Sequence, residues 1–327
     1  MNRHLLFAVI LTASSCVTSR PPAPPALTSG LADKTAWIDI GMPDGSVEHL
    51  PLDHYVRGSV LAEANFAGLA PHEAELVAQI QALLARTYAL ANLERHLDDG
   101  FNLCSTTHCQ VYRSTDSRPA GLVRLAYKAV QNTKDLVISY NGAPINAVFH
   151  ADCGGHTSNA QSVWRGATPP YLKAQADRFC LLSESSQKWI FETDMSVLRT
   201  LLNRKTQTTV GKKLDAVTVT QRDEAGRVSL LTLHGERIVV VRGEQFRSAL
   251  TPHFGPRSIR STKFNVKRAG DAFIFEGQGF GHGVGLCQVG AMARARAGHS
   301  LREILTHYYS GTTLAAYDRN AMGLYYH

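Results

Sequence analysis

The sequence predicts an α+β protein, with a larger mixed helix-and-sheet domain, a smaller β-rich subdomain and a cleft between them. Three observations carry that expectation. Residues 71–97 repeat apolar side chains at helical spacing, residues 136–150 carry a hairpin signal, and residues 217–241 gather three β-prone runs. With 327 residues, 44% apolar and 19% charged, the chain is long enough for one large or two ordinary domains with filled cores.

In chain order, Met1-Asn2-Arg3-His4 precedes an apolar run at 5–11 and then Thr12-Ala13-Ser14-Ser15-Cys16. This reads as a secretory signal, too short to span a bilayer as a stable helix. Small residues before Cys16 resemble a lipobox, so Cys16 is the expected lipidation site and a lipid anchor to a membrane follows from it. An ordinary signal peptide with an incidental cysteine is the alternative. Pro21-Pro22-Ala23-Pro24-Pro25 favours extended geometry, and residues 17–35 read as a tether. Folded sequence is expected from near Ala36. The main domain takes 36–187, the β-rich subdomain 188–255, and the second part of the main domain 256–327.

Residues 52–60 suggest an extended entry into a helix that carries Glu63 close behind. Pro71 suits a first helical turn, and Leu76, Ile80, Leu83, Leu84, Thr87 and Leu90 continue a stripe to about Leu97. Residues 122–130 read as a third helix. Two β-prone runs then flank Asn141-Gly142, the step that favours a tight hairpin turn. Further on, 217–220, 229–233 and 237–241 read as strands, with Asp223-Glu224-Ala225-Gly226 as a turn. Last comes Gly277-Gln278-Gly279-Phe280-Gly281-His282-Gly283-Val284-Gly285, glycine at every second residue, leading into a helix-like run after Gln288. It lacks the lysine of a phosphate loop and the downstream acid of a dinucleotide fingerprint.

Charge narrows the partners. Thirty-four Lys and Arg against 27 Asp and Glu give +7, spread along the chain without a basic block. Nucleic acid is not indicated, and in an exported protein an anionic cell-wall polymer suits the excess better. Besides Cys16 there are five cysteines, an odd number that leaves a thiol unpaired or commits some to metal.

Four constellations can carry chemistry. Glu63 ends an otherwise apolar run, where burial would raise its pKa toward the range of a general acid, unless it faces water. Cys104, His108 and Cys109 suit tetrahedral zinc, with either His96 or a residue of the next cluster as the fourth ligand, while a Cys104 to Cys109 disulfide is the alternative. His150, Asp152, Cys153 and His156 surround a Gly-Gly bend and could ligate metal, position substrate or activate a nucleophile, with a Cys153 to Cys180 disulfide as the structural reading. The glycine ribbon around His282 is the fourth, read as a shaped loop that a ligand can approach closely.

Seven collinear segments between residues 50 and 314 resemble the stage II sporulation protein D family. They are Tyr55-Val56-Arg57-Gly58 through Glu63; Ala78-Gln79 with Ala85-Arg86-Thr87-Tyr88; His108-Cys109-Gln110-Val111-Tyr112; Phe149-His150 with Gly154-Gly155-His156-Thr157; Trp164-Arg165 with Pro170-Tyr171-Leu172; the ribbon with Gln288-Val289-Gly290-Ala291; and His307-Tyr308-Tyr309-Ser310-Gly311-Thr312. The resemblance implies a lytic transglycosylase that cuts peptidoglycan glycan strands, stripped of peptides, to 1,6-anhydro products, with Glu63 as acid and base. A non-enzymatic wall-binding enhancer of a cell-wall amidase is the first alternative, and a zinc-dependent wall hydrolase using His150, His156 and Cys153 the second. Tyr88, Tyr112 and Trp164 are the expected sugar-stacking faces, and His150, Gly279, Gly281, His282 and Gln288 the other substrate-binding positions, with bracing of the loop as the alternative role of His282. Structural zinc would sit at Cys104, His108, Cys109 and His96. The chain departs from the family pattern at Cys153 and Cys287, where serine is usual, and at Ala64-Asn65, which replaces a common Met-Pro.

Overall fold

Two hydrophobic cores organise the chain, whose computed structural model describes residues 36–183 and 188–317. The signal, Cys16 and the Pro-rich tether lie outside the described residues. The architecture is mixed α+β, built from helices and several small sheets. Among the described residues, no helix is long and apolar enough to cross a membrane.

The first core gathers residues from 36–180 and 284–317 around three mutually packed helices, α1 (Leu52–Glu63), α2 (Pro71–Ala91) and α3 (Ala120–Asn132). Arg86 of α2 is buried among them. Its Nη1 donates to Thr133 O at 2.8 Å and its Nη2 to Asp53 Oδ1 at 3.1 Å, so one guanidinium joins all three helices. Pro71 starts α2 as expected, and the free Ala70 N–H is taken by Glu73 Oε2 at 2.9 Å. The helix stops at Ala91, short of 97. Asn92 leaves helical geometry at φ −132° and its Nδ2 donates to Tyr88 O at 2.8 Å, a local bond that competes with continued helix. The chain then bends through a short turn at Leu97–Asp99.

Asn141 and Gly142, at φ +52° and +82°, make the expected hairpin turn between Leu136–Tyr140 and Ala143–Pro144. The second arm is far shorter than the sequence suggested. Past Pro144 the Ile145 N–H still reaches Ile138 O at 3.0 Å, but the Ile138 N–H is given to Thr87 Oγ1 at 3.0 Å, which ends the ladder, and Phe149–His150 instead pairs in parallel with Leu286–Cys287, just after the ribbon. Thr313–Ala316 covers the other edge of Leu136–Tyr140.

The second core lies within residues 189–275. Leu214–Arg222, Val228–Gly235 and Ile238–Arg242 form one antiparallel sheet, with the turn at 223–226 where expected. A second sheet places Ala272–Gln278 between Lys188–Asp194 and Phe264–Ala269. The β-rich part therefore runs on past 255 to the foot of the ribbon, because Lys188 pairs with Gln278.

Candidate functional site

Glu63 is the last residue of α1, which ends where Ala64 turns extended at ψ 142°. Its half-buried carboxylate accepts the Val111 N–H through Oε1 at 2.6 Å. Burial raises its pKa above the ordinary carboxyl value, and the Val111 bond opposes this without cancelling it. The negative end of the α1 dipole also disfavours the ionised form. Behind it, Gln288 Nε2 donates to Glu63 O and to Gln81 Oε1, both at 3.1 Å, so the residue that follows the ribbon holds the end of α1. Next to this junction is a small open concavity walled by Ala64, Asn65, Gln81, Leu286, Gln288 and Met292. Among the described residues its lining holds no carboxylate, and Glu63 stands beside it rather than within the wall.

A raised carboxyl pKa has a thermodynamic sign. Between the ordinary and the raised value the folded state binds more protons than the unfolded chain, so stability falls as pH rises through that window. Glu63→Gln keeps an oxygen for Val111 and removes the buried charge. The variant should melt above wild type at neutral pH, with the gap closing below the ordinary carboxyl pKa; calorimetry at the two pH values checks it, and an equal gap at both would refute it.

The ribbon glycines 279, 281, 283 and 285 all take positive φ. Their bare faces are turned inward, against the expectation that they back a sugar. A Cβ on Gly281 would lie 2.8 Å from the Cβ of His150, and one on Gly279 at 2.8 Å from Asp152 O. Glycine lets the ribbon press onto residues 148–154, where Asp152 and Phe280 exchange both main-chain bonds.

His282 is spent inside the fold. Its Nε2 donates to Phe149 O at 2.8 Å and its Nδ1 accepts the Val284 N–H at 3.1 Å, a fixed neutral tautomer; burial brings its pKa down to about 3. It braces the ribbon instead of offering a donor to a sugar. His150 is buried, donates from Nδ1 to Val284 O at 3.1 Å, and is held well below its ordinary pKa by burial and by nearby His282. Tyr88 and Tyr112 are 5% and 1% exposed, and Tyr112 packs on Tyr55 with ring centroids 5.5 Å apart. Neither can present a face to sugar; both are core. Trp164 is partly exposed, packed against the first core and tilted with its ring centroid 4.9 Å from that of His282.

The thiol and imidazole residues of the next loop do converge. Ligand atoms of His96, Cys104, His108 and Cys109 all lie within 4.8 Å of one another. His108 Nδ1 is 3.2 Å from His96 Nε2, 3.7 Å from Cys104 Sγ and 3.8 Å from Cys109 Sγ. A tetrahedral ion with bonds of about 2.0–2.3 Å needs edges of roughly 3.3–3.8 Å, so the set fits. Asp99 Oδ2 accepts from His96 Nδ1 at 2.7 Å and leaves Nε2 turned to the cluster, the usual outer support of a ligating imidazole. The early end of α2 makes this possible, since a helix continued to 97 would carry His96 away. By contrast, His150, His156 and Cys153 do not form a ligand set among the described residues: His156 Nδ1 is taken by Thr157 O at 2.7 Å.

The glutamate and the loop cluster share one stretch of chain that comparison with known proteins also selects. A family model described as Stage II sporulation protein matches residues 44–140, and one described as a domain of unknown function matches 181–285. Stage II sporulation protein D of Bacillus amyloliquefaciens is 30% identical over 289 residues, covering 84% of this chain and 76% of its own length. The chain belongs to the stage II sporulation protein D family. The protein of the same name from Bacillus subtilis (strain 168) is 29% identical over 84% of this chain and 77% of its own. An amidase enhancer of Bacillus subtilis (strain 168) is 27% identical over 76% of this chain, which spans 40% of that protein's length. Within this stage II sporulation protein D relative, four contributors escaped sequence reasoning. Val111 acts through its main chain, Gln81 and Asp177 are single polar residues in unremarkable runs, and Arg227 lies in the β-rich part yet reaches Gly281 O and Cys153 O at 3.1 Å. Only Asp177 left a trace, as an acid three residues before Cys180.

Proposed function

We propose that this protein acts on the bacterial cell wall as a lytic transglycosylase, cleaving peptide-stripped glycan strands with Glu63 as the single acid and base. The observation that carries the reading is the Glu63 carboxyl: desolvated, raised in pKa, oriented by Val111 and anchored from behind by Gln288 beside an open concavity. A hydrolytic glycosidase normally needs two carboxyl groups. A lytic transglycosylase needs one, because the C6 hydroxyl of N-acetylmuramic acid replaces water. Protonated Glu63 gives its proton to the glycosidic oxygen as the bond to the anomeric carbon breaks. The resulting carboxylate takes the C6 hydroxyl proton as that oxygen closes the 1,6-anhydro ring, and the proton returns to Glu63. Trp164 offers the stacking face, and an exported position at the cell envelope goes with this substrate. Mass spectrometry of products from purified protein on peptide-free and peptide-bearing glycan tests it: 1,6-anhydro ends from the former are the expected result, and reducing ends, or no cleavage, refute it.

The name of the amidase enhancer relative supports a second reading, in which the chain binds wall polymer and stimulates a separate amidase. Stimulation of an amidase that survives Glu63→Gln would favour it.

A structural zinc at His96, Cys104, His108 and Cys109 completes the proposal. When bound it would tie together the two ends of the loop before Val111, whose N–H holds Glu63. Tyr112 N–H to Ser105 O at 3.2 Å and Cys109 N–H to Thr106 O at 3.1 Å already shape that loop. Chelation should lower the melting temperature and weaken, without abolishing, glycan cleavage. Elemental analysis with calorimetry of wild type and Cys104→Ser checks this; a metal-free wild-type protein with a Cys104 to Cys109 bridge and unchanged melting would count against it.

A further inference from the structure

A second set of metal-ligand atoms lies in the first core, apart from the loop cluster and unused by the proposed reaction. Sγ of Cys153, Cys180 and Cys287 and a carboxylate oxygen of Asp177 all fall within 4.8 Å of one another, and all four residues are buried. They come from three distant pieces of chain: the bend after Phe149–His150, the short helix Arg178–Leu181 with Asp177 at its N-cap, and the residue before helix Gln288–Arg296.

We propose that Cys153, Cys180, Cys287 and Asp177 form a closed structural site for a thiolate-seeking divalent cation, of which zinc is the probe.

Two independent observations favour an ion over a disulfide. The sulfurs number three, so one bridge would strand a thiol, whereas three thiolates and a carboxylate make a complete tetrahedral set with no open position, the pattern of a structural site. Main-chain donors also converge on sulfur: Cys287 Sγ accepts the N–H of Cys153 at 3.2 Å and of Gly290 at 3.4 Å. Such N–H groups support thiolate charge, which a bridged sulfur does not carry. Cationic side chains lie close around the set. Arg294 donates to Asp177 Oδ1 at 3.0 Å, Arg227 to Cys153 O at 3.1 Å, and Lys263 to Gly154 O at 2.7 Å.

The protonated arrangement shows what the ion would replace. The Cys153 thiol points to Asp177 Oδ2 at 3.7 Å, and the Cys180 thiol to Asp152 Oδ1 at 3.0 Å. Loading exchanges the three thiol protons for one divalent ion, with the protons released to solvent. Asp177 Oδ2 then meets the ion while keeping the Tyr308 hydroxyl, which donates to it at 2.6 Å. Because Cys287 immediately precedes Gln288, the ion would fix the residue that grips Glu63 O.

The test uses the full chain, prepared with zinc under reducing conditions. Two zinc ions per wild-type chain are expected, one in Cys104→Ser/Cys109→Ser, and none once Cys287→Ser is added. Cobalt substitution of the double variant should still give a thiolate-to-cobalt charge-transfer band. A wild-type chain that binds no ion, or a single ion whose X-ray absorption shows two nitrogens and two sulfurs rather than three sulfurs and an oxygen, overturns the proposal, as does peptide mapping that finds a bridge between any two of Cys153, Cys180 and Cys287. Both readouts use wild-type protein, so they hold even if a variant fails to fold.

Discussion

Glu63→Gln protein should remain folded and lose glycan cleavage by about 100- to 10,000-fold, the usual worth of a positioned acid and base. The amide retains an oxygen for Val111 N–H, so the loop it meets keeps its place, but it can neither deliver a proton to the leaving oxygen nor remove one from the attacking hydroxyl. Glu63→Asp should fall between, since its shortened arm has the right chemistry in the wrong place. The pH profile adds an independent check. The carboxyl must begin protonated, and burial keeps it so to a higher pH than an exposed glutamate. Cleavage should therefore decline as pH rises through the raised pKa, and that limb should vanish in the residual activity of the Gln variant. Release of 1,6-anhydro ends is the measurement, and a Gln variant as active as wild type would remove Glu63 from the chemistry.

Gly285→Ala should destabilise the protein by about 3 kcal/mol or more, against about 1 kcal/mol for Gly298→Ala, in denaturant unfolding. Both glycines have positive φ, +69° and +83°, so both variants carry the left-handed penalty of a Cβ. Only one also meets a wall. Nothing lies within 4 Å of the added carbon at Gly298, whereas at Gly285 it would drive into Val148 O. That carbonyl cannot step aside cheaply, because it accepts Leu286 N–H at 3.2 Å and Tyr309 Oη–H at 2.7 Å. Equal losses at the two positions would mean that the ribbon has slack.

Much of this was legible because local chemistry and tertiary packing agreed. Pro71, the Asn141-Gly142 turn and the β-branched runs after 214 each dictate a conformation that the cores then accept. The four loop ligands were readable since three lie within six residues of chain, where covalent connection alone brings them near. Misreadings came where tertiary partners decided. Tyr88 and Tyr112 look like sugar platforms by type, but ring area is worth as much to a core as to a ligand. Ribbon glycines signal a close approach without saying to what, and here it is to the protein itself. The grip of Val111 on Glu63 was out of reach, since a main-chain N–H is the same at every residue type.

The pairing of Lys188 with Gln278 means that the β-rich part leaves and rejoins the rest of the chain at a single rung. Such a neck alone would be a hinge. It is locked by the Arg227 guanidinium, seated on Gly281 O and Cys153 O, and by Ser158 Oγ–H on Asp223 Oδ2 at 2.6 Å. Swinging the two halves apart would strip a buried cation of its acceptors. Under the proposed function, a polymer would meet a preassembled surface here rather than closing jaws.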